Sequence, residues 1–400
     1  MIEPNRVPPT DPRSAPTPNA SHNVRRLTRG IVAAMIVTVW GALLVALGGF
    51  LVVYEIYLDL KAPDRPHWIS GTPAEYIAQS IYVWHYRSLW QGRPDCSEFD
   101  AALVVVPKPG TARFQGAEFD TVIHVSPSRV RTQPPAKPAA PLVVMAGDSY
   151  TFGWGVNDDE TYSWLLQEDY GYHTVNTGVP GYGTPGELLR LRRMGLLTKI
   201  DALVIQFCDN DWPVNQGFVR APFRSPTARE AQSSWDELLA YHRQPVTYFN
   251  VLADVARYVR IESRGIHRID ALRSLLTTRP PPFGTSFKHR YYVTGETMAK
   301  DFVGVLDQFP ELKRLPIIVF ELVPNNGATG FTAALRSYTK DHPNVIPFSL
   351  QLRPGDFYRF DGHLTPHGQR AVAVQLAGAL SQLFATHPAT PGLAAAHPGF

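Results

Sequence analysis

The stretch Pro141–Gly155, PLVVMAGDSYTFGWG, constrains the fold more than any other part of the chain. Leu142–Ala146 is a short, unbroken apolar run without alternation, which predicts a strand buried on both faces of a parallel sheet. It stops at Gly147-Asp148-Ser149 and passes into a turn containing Gly153 and Gly155. In an open α/β sheet, ligands gather outside the carboxyl ends of the strands. A serine carried there on a tight turn is placed to act as a nucleophile once a base reaches it.

Downstream, strand and helix patterns alternate. Asp158 or Asp159 caps a helix that runs to about Tyr170 and stops at Gly171, and His173–Asn176 is a second strand. Helix Glu187–Leu197 and strand Ala202–Phe207 follow. Helix Glu296–Lys313 leads into strand Ile317–Leu322, Asn344–Phe348 is a fifth strand, and Pro366–Phe384 is the last helix. The alternation predicts an α/β domain over 142–386, a parallel sheet flanked by helices. Residues 212–300 interrupt it with an amphipathic segment near Val246–Leu276 and the turn-rich Thr277–Gly284, and read as a helical insertion covering one edge of the site. The Pro/Ala/Gly-rich tail 387–400 reads as loose.

The amino-terminal part is built differently. Residues 1–30, rich in Pro, Ser, Thr, Asn and Arg, read as a disordered tail. Ile31–Tyr54 carries no charge and is long enough to cross a bilayer as a helix, with Tyr54 and Tyr57 in interfacial positions. A cleaved signal peptide is the competing reading, set against the length of the run and the lack of a small-x-small site after it. Arg6, Arg13, Arg25, Arg26 and Arg29 against Glu3 and Asp11 account for the whole net charge of +3. These arginines put the amino terminus in the cytoplasm and the bulk of the chain outside, as a single-pass protein of the inner membrane with a periplasmic domain. The rest of the chain is neutral, which leaves no basic surplus for a nucleic-acid partner.

Between anchor and main domain, 59–131 has a helical look around Ala74–Leu89 and strand-like runs at Ala101–Val106, Phe114–Phe119 and Thr121–Val125. They predict a small β unit packed against the main domain, a membrane-proximal spacer without a chemical role. Residues 132–141, TQPPAKPAAP, read as a linker. Of the two cysteines, Cys208 ends an apolar run and reads as a buried free thiol; whether it pairs with Cys96 stays open.

The base comes from Asp361-Gly362-His363-Leu364-Thr365-Pro366. Thr365 suits an N-cap and Pro366 the first helical position, so His363 precedes a helix amino terminus, whose dipole favours the neutral imidazole. Asp361 can hold one ring nitrogen while the other faces Ser149. His367 is the rival base, set inside the first turn of the helix. Oxyanion donors are at hand in Gly181, after the second strand, and Asn210, after the third. Gly181-Tyr-Gly183-Thr-Pro-Gly186 matches a dinucleotide fingerprint, but Asp201 precedes its strand and Pro185 removes a helix N–H, which argues against a nucleotide cofactor. His363 and His367 lack a Glu-containing zinc signature, so no metal is predicted. Asp209 and Asp211 read as local caps or turn acceptors.

Gly147-Asp148-Ser149, Gly181, Asn210 and Asp361/His363, in this order, resemble the SGNH (GDSL-like) hydrolase family over Leu142–Leu383. The resemblance implies a flavodoxin-like sheet, Ser149 as nucleophile, His363 as base and Asp361 as orienting acid. It further implies an oxyanion hole from the Ser149 and Gly181 N–H groups and the Asn210 side chain, with no cofactor. Two positions depart from the pattern: Cys208 stands where Gly-x-Asn-Asp has its glycine, and Asp-x-His replaces Asp-x-x-His. The shorter spacing resembles the membrane-anchored bacterial branch with alginate-type O-acetyltransferases. The implied activity is removal of O-acyl, above all O-acetyl, groups from a glycan or other ester. An O-acyltransferase with the same triad, and a non-catalytic glycan-binding or assembly protein on this fold, remain alternatives.

Overall fold

The structure, a computed structural model, describes residues 20–61, 90–116, 118–137, 140–223, 227–243, 293–323, 329–359 and 361–389. It divides into two units, Met1–Tyr57 and Leu58–Phe400. The expected helix at Ala74–Leu89, the segments Val246–Leu276 and Thr277–Gly284, and nearly all of the tail from His387 lie outside the described residues.

The first unit is dominated by α1 (Ala20–Lys61). Residues 20–30, expected to belong to an unstructured tail, are helical, and the helix runs past Tyr54 to Lys61. The physical reason is the absence of proline between Pro18 and Pro63, so nothing breaks the hydrogen-bond ladder. Within it, Thr28–Phe50 is long and apolar enough to span a bilayer and has none of its surface buried in protein. A membrane anchor and a signal sequence both have this character.

The second unit is an α/β fold on a five-stranded parallel sheet. Its strands are β5 (Leu142–Ala146), β6 (His173–Asn176), β7 (Ala202–Phe207), β8 (Ile317–Glu321) and β9 (Val345–Phe348), in the spatial order β6-β5-β7-β8-β9. Successive side chains point to opposite faces of a strand, so the sheet divides its apolar residues between two cores. Val144, Ala146, Leu203, Ile205, Phe207 and Val319 meet Leu188, Phe302 and Phe331. Val143, Met145, Val204, Ile318 and Phe320 meet Tyr162, Leu166, Leu376 and Leu380. Each such side chain contributes about 1.5–3 kcal/mol by leaving water.

The flanking helices are α2 (Ser149–Phe152), α3 (Tyr162–Glu168), α4 (Thr184–Arg193), α5 (Trp212–Arg220), α6 (Ala228–Arg243), α7 (Gly295–Leu306), α8 (Phe331–Leu335) and α9 (Pro366–Thr386). Asp158–Glu160 forms a 3-10 turn, and α3 starts at Thr161, whose hydroxyl accepts the Trp164 N–H at 3.2 Å. The expected Asp158 or Asp159 cap is therefore displaced by three or two residues. Helix α7 ends ahead of Pro310 rather than at Lys313, because a proline ring cannot continue the ladder.

Ahead of the sheet lie two antiparallel hairpins. One pairs β1 (Ser97–Asp100) with β2 (Val104–Pro107), the other β3 (Gly110–Gln115) with β4 (Asp120–Val125). The sequence runs Ala101–Val106 and Phe114–Phe119 had been expected as single strands; each straddles a strand end and its turn instead. At the first turn the Asp100 carboxylate takes the N–H groups of Ala102 and Leu103, both at 2.9 Å, and reverses the chain. A third core joins these hairpins to the loops above the sheet: Trp90, Val105, Phe114 and Ile123 pack with Phe152, Trp154, Val179 and Tyr182. The β unit is thus fused to the main domain, and Arg131 bridges β4 to β6 through Val125 and Asn176.

Candidate active site

The turn after β5 is assembled from side chains that satisfy its backbone. Gly147 has φ +156°, and a Cβ there would lie 2.1 Å from Thr151 Oγ1, so only glycine fits. Asp148 is buried; its carboxylate accepts the Tyr150 N–H at 3.0 Å, and its own N–H donates to Gln206 on β7 at 3.2 Å. Ser149 opens the single turn α2, which Gly153 closes in the left-handed conformation at φ +79°. From below, the fully buried Arg131 donates to the carbonyls of Phe152 at 2.7 Å, Gly153 at 3.0 Å and Val156 at 2.7 Å, and pairs with Asp158. Arg131 and the first residues of the expected linker are therefore structural parts of the domain. Beyond it the Thr132 N–H donates to His124 O at 3.0 Å.

The loop before α9 supplies a second set of backbone hydrogen bonds. Phe357 and Leu364 form an antiparallel bridge, Tyr358 N–H donates to His363 O at 2.7 Å, and Gly362 N–H donates to Tyr358 O at 3.1 Å. Thr365 caps α9, accepting the Gly368 N–H at 3.1 Å. The two pieces meet across the carboxyl end of the sheet. His363 Nε2 lies 2.7 Å from Ser149 Oγ, and His363 Nδ1 lies 2.5 Å from Asp361 Oδ1. Trp154 Nε1 donates to the other carboxylate oxygen of Asp361 at 3.3 Å, and the Tyr150 hydroxyl donates to Gly362 O at 3.0 Å. Residues separated by more than two hundred positions thus form one chain of polar contacts from hydroxyl to carboxylate.

Burial lowers the pKa of His363, but the charge of Asp361, its hydrogen bond to the ring and the charge of Asp148 outweigh this, and the net shift is upward from the ordinary 6.5. The sequence alone predicts the opposite direction from the helix dipole. A carboxylate 2.5 Å from Nδ1 carries more charge than the half-charge of a helix end, and it prevails. Beneath the turn, Asp148, Glu187 and Asp211 are buried, and burial pushes all three carboxyls above their ordinary range. Asp211 accepts the Cys208 N–H at 3.1 Å, in keeping with a local cap.

Gly181 and Asn210 follow β6 and β7, the two neighbours of β5. The loop carrying Gly181 lies against the Ser149 turn: Asn176 donates to Thr151 O at 2.7 Å, and Val179 N–H donates to Gly147 O at 3.1 Å. Gly178 passes so close to Phe152 N that a Cβ would sit 2.4 Å from it. The Asn210 amide donates to Asp148 Oδ2 at 3.3 Å and retains a second N–H.

The rival features go elsewhere. His367 Nδ1 lies 2.5 Å from Asp356, and its side chain is 75% exposed. Asp201 accepts the Leu142 N–H at 2.8 Å, at the amino end of the sheet, far from where a ribose-binding acid would stand. Among the described residues no group of three or more His, Cys, Asp or Glu is arranged to hold a metal. Cys96 and Cys208 are both buried and unpaired with one another. Sequence reasoning missed Trp154, Tyr150 and Arg131. Trp154 and Tyr150 were inside the serine motif, but nothing in it says that an indole N–H meets Asp361.

No protein-family model matches the chain, and no curated protein does. Solved structures similar to it include a lipolytic protein of the G-D-S-L family from Desulfitobacterium hafniense, at 14% identity, covering 60% of this chain and 98% of the other, with TM-score 0.32. Another is the psychrotrophic esterase EstA from Pseudoalteromonas sp., at 12% identity, covering 61% and 98%, with TM-score 0.35. A third is a carbohydrate esterase family 2 enzyme with a carbohydrate-binding domain from Corynascus thermopiles, at 15% identity, covering 63% and 68%, with TM-score 0.33. Likenesses this distant carry no inference by themselves; the chemistry of the site does.

Proposed function

We propose that the chain is a serine esterase of SGNH type, acting on O-acyl esters through an acyl-serine intermediate. The observation that carries this is the contact chain Ser149–His363–Asp361, with 2.7 Å and 2.5 Å between its polar atoms. A serine hydroxyl is a poor nucleophile until a base takes its proton, and this arrangement supplies one. Ser149 Oγ attacks the ester carbonyl while its proton passes to His363 Nε2, and Asp361 stabilises the imidazolium through Nδ1–H. The N–H groups of Ser149 and Gly181 and the free amide N–H of Asn210 receive the oxyanion. Collapse of the tetrahedral adduct breaks the ester C–O bond, and His363 returns the proton to the leaving alcohol. Water, activated by the same imidazole, then cleaves the acyl-serine. Neither metal nor cofactor enters these steps.

The substrate class we favour is an O-acetylated glycan on the outer side of the cytoplasmic membrane. The amino-terminal arginines and the apolar span support that location, and the resemblance to O-acetyl-handling enzymes supports the acyl group. The full chain in detergent, incubated with acetylated polysaccharides, should release acetate and should be labelled by a fluorophosphonate at Ser149. Acetyl transfer to an added glycan in place of acetate release would make it the O-acyltransferase. A protein that is neither labelled nor active would be the non-catalytic binding protein.

A further inference from the structure

The loop bearing Asp361 and His363 is held from outside by one carboxylate. Glu118 sits in the four-residue turn between β3 and β4, where Gly116 N–H donates to Phe119 O at 2.8 Å. Its Oε1 accepts the Arg359 N–H and its Oε2 accepts the Asp361 N–H, each at 2.8 Å. Bonds from backbone N–H to a carboxylate are charge-assisted and directional. Two of them, two residues apart, hold the backbone N–H groups of Arg359 and Asp361 on one carboxylate, and with them the direction in which the Asp361 side chain leaves the backbone. The neighbouring residue reinforces the grip: the Phe119 ring lies 5.8 Å from Trp154 and 5.5 Å from Tyr358. Trp154 is the donor to Asp361 Oδ2, and the Tyr358 hydroxyl donates to Gly155 O at 2.8 Å. The hairpin therefore touches Asp361 by a direct bond to its N–H and by the ring that orients its partner.

We propose that Glu118 is a positioning residue of the triad: the β3–β4 hairpin, through this clamp, sets the orientation of Asp361 against His363. The inference rests on the esterase reading for its kinetic consequence but not for its physical one. Glu118 holds the loop through the N–H groups of Arg359 and Asp361, so this effect passes through Asp361 to the imidazole. Loosening Asp361 weakens the contact that holds the His363 pKa up, and the pKa falls.

The test compares Glu118→Ala and Glu118→Gln in the full chain in detergent. Both remove the same charge, but glutamine fills the same space and keeps one acceptor, so the difference between them reads the clamp. The His363 titration is followed by NMR of ring-labelled histidine, assigned by its loss in His363→Gln. Turnover of p-nitrophenyl acetate is measured alongside. A displacement of about 1 Å costs about 10²-fold in rate, so Glu118→Ala should lower kcat by about 10–10²-fold with KM unchanged. Its His363 pKa should fall further than that of Glu118→Gln, whose rate should lie between those of alanine and wild type. Equal titrations in both variants, or a wild-type titration in either folded variant, overturn the clamp. If Glu118→Ala fails to fold, Glu118→Asp replaces it, keeping the charge while shortening the reach: a fall in the His363 pKa and in kcat supports the clamp, and wild-type values overturn it. A wild-type protein without Ser149-dependent turnover, whose His363 titration still falls further in Glu118→Ala than in Glu118→Gln, loses the esterase reading and keeps the clamp.

Discussion

The loop before α9 and the first turn of that helix hold two aspartate–histidine pairs with the same contact distance. His363 Nδ1 lies 2.5 Å from Asp361, and His367 Nδ1 lies 2.5 Å from Asp356. What separates them is the other ring nitrogen. The Nε2 of His363 meets the Ser149 hydroxyl at 2.7 Å, whereas the His367 side chain is 75% exposed. Carboxylate pairing orients an imidazole, but it confers no chemistry until the far nitrogen faces a nucleophile. Asp356 has a second duty that explains its place: it accepts the Arg353 N–H at 2.6 Å and shapes the turn entering the loop. On the proposed reading, one pair belongs to the reaction and the other to the scaffold.

That division can be broken by experiment. The largest effect is expected from Ser149→Ala and His363→Ala, which should lower kcat on a small acetyl ester by about 10⁴–10⁶-fold. Ser149→Ala should also abolish fluorophosphonate labelling. Asp361→Asn should lower kcat by about 10²–10⁴-fold. Wild-type kcat/KM should rise with pH through an apparent pKa above 6.5, because the neutral imidazole is the base and Asp361 raises its pKa. In Asp361→Asn this acid limb should move to lower pH. The same shift has a signature in stability. Raised in the fold, the His363 pKa contributes stability that is complete below 6.5 and fades as pH rises through the folded value. Asp356→Ala should instead cost stability and spare turnover, with about 1–2 kcal/mol lost in denaturant unfolding and kcat within about threefold, since it touches no reacting atom. The smallest effect should come from His367→Ala, with kcat within about twofold of wild type, as for a surface change. A larger loss there would dissolve the distinction between the pairs.

The sheet was legible because its physics is local. Leu142–Ala146 and Ala202–Phe207 are short, largely apolar runs between turn residues, His173–Asn176 follows the helix stop at Gly171, and all three are strands at those bounds. Asp361 and His363 could be linked to Ser149 in advance because one sequence signal, Thr365-Pro366, fixes a helix start beside them. The hairpins were less legible: alternation at Phe114–Phe119 continues through a turn whose reversal depends on partners elsewhere. Glu118 gave no signal, since it is a single acid in a turn and its partners at 359 and 361 lie more than 240 positions away. Nor could the direction of the His363 shift be read, because the dipole is implied by the local sequence while the distance to a carboxylate is not.

Arg131 makes the Ser149 turn depend on a segment that the sequence reads as a spacer without a chemical role. An expression fragment trimmed to begin at Leu142 would keep every strand of the sheet, yet the carbonyls of Phe152, Gly153 and Val156 would lose their donor. Losing one member of a buried ion pair costs about 3–5 kcal/mol, and here Asp158 would be left behind. The smallest piece able to hold Ser149 in place therefore starts at or before Arg131, and shuffling this sheet onto another anchor would have to carry that arginine along.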